Sequence, residues 1–259
     1  MSAAAPSPLA SFFVYGVKKT LHKAWVHLLT ALPLARSDPV VTSRYGVRMR
    51  ANWRDRTFQY CRYATYGRAL SDYIAVQDRP FTFVDIGANQ GLYSLLAARN
   101  RHCVSAVAFE PVAATFALLR DNIALNGAGT KIRPVHAAVS LQSGMARIAT
   151  DDAHSGIASL RGTATSGGEE IRILGISGVD TLLEGATPLI VKIDVEGHEE
   201  AVAQALMASA HRDRIAAIFY EVDARWTDAT KIEAQLRPAG FVRFTRYGIG
   251  GHYDVLASR

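Results

Sequence analysis

From Phe81 onward, short and almost wholly apolar runs alternate with longer stretches in which apolar residues recur every three or four positions. The runs near 81–86, 104–109, 131–137, 188–194, 215–221, 241–246 and 252–257 predict strands. The stretches near 91–99, 112–126, 198–209 and 228–237 predict helices. The second of these is well marked. Pro111 stands at its start, Val112, Phe116, Leu119 and Ile123 share one face, and Asn126-Gly127 end it. Pro238 and Gly240 stop the helix that begins at 228. Strands alternating with helices imply a mainly parallel, doubly wound α/β sheet covered on both faces. Only Arg246 to Gly251, with three glycines, join the last two strands. That is too short for a helical crossover, so these strands should pair as an antiparallel hairpin.

Two regions break the rhythm. Residues 138–187 hold Ser, Gly and Thr clusters and short alternating runs at Met145–Thr150 and Ile171–Leu174, which predict an inserted hairpin. Residues 1–78 read as an N-terminal extension to a domain at 79–259. Within the extension, residues 11–34 carry an amphipathic helical pattern with Phe12, Phe13, Leu21, Trp25, Leu28 and Leu29 as apolar members. Lys18, Lys19, His22 and Lys23 interrupt the stretch, so it has neither the about 18 uninterrupted apolar residues of a membrane span nor the charge order of a signal peptide. Packing on the domain or on a second subunit is the plainer reading. Peripheral contact with an anionic membrane is the sharper one. The segment from Arg44 to Tyr66 is irregular and rich in Arg, Tyr and Trp, which suits either a packing or dimer surface or a cover over a sugar-binding or anion-binding site.

Composition narrows the class. The chain has 259 residues, 49% of them hydrophobic, enough for one domain with a large core. Cys61 and Cys103 make no disulfide framework, so a reducing cytoplasm is the expected setting. The net charge of +6 admits an anionic membrane surface or an acidic ligand. Without a lysine-rich run or an aromatic stacking motif, nucleic acid is the weakest partner class.

The candidate chemistry begins at Phe81–Gly91, a strand that runs into a glycine turn and then a helix. A second strand follows and ends in Glu110. Strand, glycine turn, helix, strand and acid form a nucleoside-binding half-sheet. A dinucleotide site asks for G-x-G-x-x-G, but the glycines here are Gly87 and Gly91, with Asn89 between them and Asp85 just before. The missing middle glycine points away from a pyrophosphate and toward S-adenosylmethionine. A second anchor, Leu189 to Glu200, runs from an apolar strand into the polar cluster Asp194-Val195-Glu196-Gly197-His198. Ligands of open α/β sheets bind outside the carboxyl ends of the strands, so Asp85, Glu110, Asp194 and Glu221 should gather on one edge.

Five motifs then resemble the FkbM family of S-adenosylmethionine-dependent methyltransferases: Val84–Ser94, Ala108–Pro111, Ser155–Leu160, Val179–Leu182 and Val191–Glu199. They span about 81–221 in order, and the first 75 residues match no known pattern. The resemblance implies O-methylation of a small-molecule or glycan acceptor such as a sugar or macrolide hydroxyl.

Physical roles follow. Gly87 and Gly91 let the backbone approach the cofactor. Asp85 and Asn89 are placed to meet its methionine end, and Glu110 to accept both ribose hydroxyls. Glu110 before Pro111 also reads as a helix-start acid. His136 and Ala137 follow the third strand and should flank the adenine. His198, with Asp194 and Glu196, is the candidate base for removing the acceptor proton; a helix-start histidine held by either acid is the alternative. Asp194 also suits the methionine amine. Asp194 and Glu221, with Glu196, offer hard oxygen ligands for Mg2+, although Lys192 or the cofactor amine would balance the same charge. His154-Ser155-Gly156 is either an ordinary turn or part of the acceptor pocket. A homo-oligomer is expected. The rival readings are an NAD-dependent oxidoreductase and a non-catalytic module of the same fold.

Overall fold

The computed structural model describes residues 38–65, 67–148 and 168–259. The amphipathic pattern at 11–34 and the His154-Ser155-Gly156 turn lie outside the described residues. An antiparallel ladder of β1 (Val40–Thr42) and β2 (Arg48–Arg50) leads into α1 (Arg56–Tyr63) and α2 (Arg68–Ala75). Asp55 starts α1 by accepting the Thr57 N–H at 3.0 Å, and Ala64, with φ +57°, ends it in the left-handed region. The Arg/Tyr-rich segment from Arg44 thus holds β2 and α1, where the sequence reads as irregular.

Next come β3 (Phe81–Ile86), α3 (Leu92–Arg99), β4 (Cys103–Phe109), α4 (Ala113–Leu125) and β5 (Ile132–Val135). A small sheet of β6 (Ala138–Ser140), β7 (Gly144–Ile148) and β8 (Glu169–Gly175) follows. In it, β8 pairs antiparallel with β7 and parallel with β6. The chain continues through α5 (Ile176–Asp180), β9 (Leu189–Ile193), α6 (Glu199–Met207), β10 (Ile215–Asp223), α7 (Ala229–Leu236), β11 (Arg243–Tyr247) and β12 (His252–Ser258).

The central sheet has the order β5-β4-β3-β9-β10-β12-β11. Strands β5 through β10 in this order are parallel, and β12 runs antiparallel to both of its neighbours. The expected β11–β12 hairpin is present, but the last strand inserts inside the sheet. Its Val255, Leu256 and Ala257 are buried, which suits an interior place. Edge strand β11 carries Arg243 and Arg246, charges that discourage further pairing.

Successive residues of each parallel strand face opposite layers. Phe83, Ala106, Ile190 and Phe219 join one core with α1 to α4, while Val84, Val107, Val191 and Ile218 join another with α6 and α7. Val47, Met49, Phe58, Leu70 and Ile74 belong to the first core, so the segment from residue 38 packs on the domain itself. Fully buried Asn122 fastens it. Its Oδ1 accepts the Arg50 N–H at 2.7 Å, and its Nδ2 donates to the Gln90 carbonyl at 2.8 Å. Among the described residues no helix is long and apolar enough to cross a membrane.

Candidate active site

The chain leaves β3 toward β4 on one side, while β9 lies on the other, so the sheet switches direction between β3 and β9. Such a switch point opens a crevice at the carboxyl ends of the strands. The first glycine turn sits there. Gly87 has φ +79°, and a Cβ on it would lie 1.9 Å from the Asp194 carbonyl oxygen. No other residue fits. Gly91 has φ +88°, and its Cβ would meet Leu119 Cδ1 at 2.5 Å. Asn89 is also left-handed, with φ +50°, and its Oδ1 accepts the Gln90 N–H at 2.8 Å.

Beneath the turn lies a buried charge trio. Lys192 on β9 stands in register with Asp85 on β3. Lys192 Nζ is 3.4 Å from Asp85 Oδ1 and 3.3 Å from Asp194 Oδ2, and it donates to the Gly87 carbonyl. Burial alone would lower the Lys192 pKa, but the Asp194 and Asp85 carboxylates outweigh it and hold the ammonium well above its ordinary value. Asp85 Oδ2 accepts the Ser94 N–H at 3.1 Å and the Ser94 hydroxyl at 2.7 Å. The structure therefore places Asp85 under the turn as its anchor.

Glu110 is buried at the end of β4. Its Oε2 accepts the Asn89 N–H and its Oε1 the Val112 N–H, each at 2.9 Å. It therefore joins the glycine turn to the start of α4, and each oxygen keeps a lone pair for a further donor. Burial pushes its carboxyl up to about 7 against the pull of those two N–H groups. Pro111 stands beside it, half-buried. Ala137 is buried, whereas the exposed His136 ring stacks on Phe116 at 4.7 Å and 13°.

The second anchor forms a tight loop. Glu196 has φ +50° and Gly197 φ +94°. Buried Glu199 holds them: its carboxylate accepts the Val195 and Gly197 N–H groups at 3.2 and 3.0 Å and the Thr227 hydroxyl at 2.8 Å. Asp194, Glu196 and Glu221 are brought together, with one oxygen of each within 4.8 Å of the others. Burial and then the like charges of Asp194 and Glu221 push the Glu196 carboxyl up to about 9. Burial and Asp194 push Glu221 to about 7, opposed by a 2.6 Å bond to His252. His198 Nε2 lies 3.1 Å from Ser140 Oγ, toward the small sheet.

Sequence reasoning underused two residues. Glu199 closes the Val191–Glu199 motif, and its role depends on a loop conformation that sequence does not reveal. His252, a register partner of Asp223 across the inserted strand, becomes adjacent to the site only through the sheet order.

This strand order, with a glycine turn at the switch point and an acid ending the next strand, defines a Rossmann-like class I methyltransferase fold. Within that class the chain belongs to the methyltransferase FkbM domain family, whose pattern matches residues 85–243, well over half of the chain. No protein of curated function matches it. Among solved structures it is similar to precorrin-6y C5,15-methyltransferase from Geobacter metallireducens, with 15% identity over 74% of this chain and 88% of that one and a TM-score of 0.45. The METTL16 MTase domain gives 15% identity over 75% of this chain and 66% of that one, with a TM-score of 0.45. An O-methyltransferase family protein from Burkholderia thailandensis gives 10% identity over 74% of this chain and 55% of that one, with a TM-score of 0.45. The chain thus spans just under two thirds of the METTL16 domain and just over half of the Burkholderia protein.

Proposed function

We propose that the protein is an S-adenosylmethionine-dependent O-methyltransferase acting on a hydroxyl of a sugar, glycan or natural product. The observation that carries this reading is the close approach of Gly87 to the Asp194 carbonyl, with buried Glu110 bonded to the same turn. At Gly87 the turn packs backbone against backbone and leaves no room for a side chain. Glu110 is suited to two ribose hydroxyls, and the Asp194 carboxylate to an ammonium group. When bound, S-adenosylmethionine supplies an electrophilic sulfonium methyl. The chain aligns the acceptor oxygen with that carbon and takes the hydroxyl proton as the C–S bond breaks and the C–O bond forms. His198 faces Ser140, so Glu196, packed against Asp194 and Glu221, is the better-placed proton acceptor once a cationic ligand group beside Asp194 brings its carboxyl, raised to about 9 in the ligand-free protein, to the ionised form. Two free, buried thiols support a cytoplasmic setting.

Calorimetric titration with S-adenosylhomocysteine, with NAD as control, tests the reading. Micromolar binding of the first alone is expected. NAD binding instead would favour the oxidoreductase alternative.

The acidic cluster supports a second reading, in which Asp194, Glu196 and Glu221 hold Mg2+ through hard oxygen ligands. Lys192 beside Asp194 already balances part of this charge. Saturable Mg2+ binding that Glu221→Gln abolishes is the result this reading requires. No binding at millimolar Mg2+ would discard it.

A further inference from the structure

At the sheet edge opposite β11, a cavity of about 360 Å3 runs along strand β5 and is walled by β8 and the end of α5. Arg133 and His136 line it from β5 and its end, Arg172 and Leu174 from β8, and Thr181 and Leu182 from just past α5. Among the described residues no acid lines it, and neither arginine side chain has a hydrogen-bond or ion-pair partner. Glu170, two residues before Arg172 on the same face of β8, stays outside the lining and forms no ion pair with it. Asp180, beside Thr181, is turned to the Ser209 hydroxyl and the Ala210 N–H. None of Gly87, Asn89, Glu110 and Asp194 lines the cavity, so it lies outside the cofactor crevice.

We propose that this cavity is an anion site that takes a phosphate group, carried by inorganic phosphate or by a small phosphomonoester. Two guanidiniums that share a cavity without a carboxylate repel each other, and an anion between them relieves that repulsion. Each guanidinium presents a planar fork of N–H donors that fits two oxygens of one acceptor group. A carboxylate has only two oxygens, enough for one fork. Phosphate has oxygens for both arginines and for the His136 imidazole, whose ring is held by stacking on Phe116. The Thr181 hydroxyl donates to the Gly178 carbonyl at 2.8 Å, which leaves its lone pairs for a hydroxyl of the ligand. An added strand is a poor occupant of this edge. The Glu110 N–H donates to the Val135 carbonyl, so Val135 turns to β4 and Pro134, which has no N–H, sits on the outer side.

Phosphorus NMR titration of the full chain tests this at constant ionic strength, with inorganic phosphate and glycerol 3-phosphate as probes. Saturable binding at about millimolar affinity or tighter is expected for at least one probe. Arg133→Gln and Arg172→Gln should each weaken it by about tenfold. Both side chains are exposed, so the fold should survive, and an unchanged urea midpoint checks that. Arg147→Gln, which removes an exposed charge of the same small sheet outside the cavity, should leave affinity unchanged. Tighter binding of glycerol 3-phosphate by about fivefold or more would identify a phosphomonoester as the ligand, and equal or weaker binding the free ion. No saturable binding of either probe, wild-type affinity in both cavity variants, or an equal loss in Arg147→Gln would overturn the proposal. So would loss of phosphate binding when S-adenosylhomocysteine is added, which would place the phosphate in the cofactor crevice. Failure of S-adenosylhomocysteine to bind would overturn the methyltransferase reading instead, since the phosphate measurement stands without it.

Discussion

Lys192 and Asp85 face each other across β9 and β3, with Nζ 3.4 Å from Oδ1 and both side chains buried. The same ammonium reaches Asp194 and the Gly87 carbonyl, so one cation joins the floor of the glycine turn to the second anchor. Removing one partner of a buried ionic group leaves the other uncompensated, at a cost of about 3–5 kcal/mol. Lys192→Met should lower stability by that amount in urea denaturation. The double variant with Asp85→Asn should recover part of the loss, because the stranded charge is then gone.

The Gly87 turn makes a steeper prediction about binding. In Gly87→Ala the new Cβ meets backbone, 1.9 Å from the Asp194 carbonyl oxygen, and backbone cannot swing aside. In Gly91→Ala the nearest atom is the far end of the Leu119 side chain, at 2.5 Å. Titration with S-adenosylhomocysteine should therefore show a loss of about 30-fold or more for Gly87→Ala, equivalent to about 2 kcal/mol, and a smaller loss for Gly91→Ala. Equal losses would mean that left-handed backbone strain, common to both, decides the outcome.

The contrast also shows what sequence can carry. The run Phe81–Ile86, its glycine turn and Glu110 are local signals, and their strand and helix boundaries fall within about two residues of those observed. The cluster of Asp194, Glu196 and Glu221 follows from the rule that strand ends share one edge. The place of β12 is different. Its hairpin with β11 is written in three glycines, but its insertion beside β10 depends on which strand buries its residues better, a comparison made only in three dimensions. The helices α1 and α2 have eight residues each, too few for a period of 3.6 to stand out. Asp55 capping a turn with Phe58 and Cys61 on one face was the available signal for α1.

Glu199 holds a loop in which Glu196 and Gly197 are both left-handed. Glu199→Gln replaces a carboxylate that receives three donors by an amide with one acceptor oxygen. It places an N–H2 group against at least one of those donors. A loss of about 1–3 kcal/mol in thermal or urea unfolding is expected. Turnover should fall further than stability predicts, because the loop carries Glu196. Full turnover in a destabilised Glu199→Gln would separate the loop from the chemistry.

Glu110 gives a pH test with a definite sign. Its carboxyl rises from an ordinary 4.5 to about 7 in the folded chain. A raised acid stabilises the fold below its unfolded value and loses that contribution as pH rises through about 7. Ribose hydroxyls donate best to the charged form, so ligand affinity runs the other way. S-adenosylhomocysteine should bind more tightly as pH climbs through about 7, and Glu110→Gln should bind weakly with no such dependence. An unchanged pH profile in Glu110→Gln would move the ribose contact to another residue.

The acid cluster extends the same linkage to higher pH. Glu221 is raised to about 7 and Glu196 to about 9, in both cases by burial first and by neighbouring carboxylates next. The ligand-free protein should therefore lose stability as pH rises from 4.5 through about 9, the upper part of the loss belonging to Glu196. Urea midpoints measured across this window should fall for the wild type and flatten at the alkaline end for Glu196→Gln. A bound cation would offset the same repulsion, so millimolar Mg2+ restoring the wild-type midpoint at alkaline pH, but not that of Glu196→Gln, would favour the metal reading. A restoration by S-adenosylhomocysteine alone would assign the balancing charge to the ligand's ammonium group, next to Asp194.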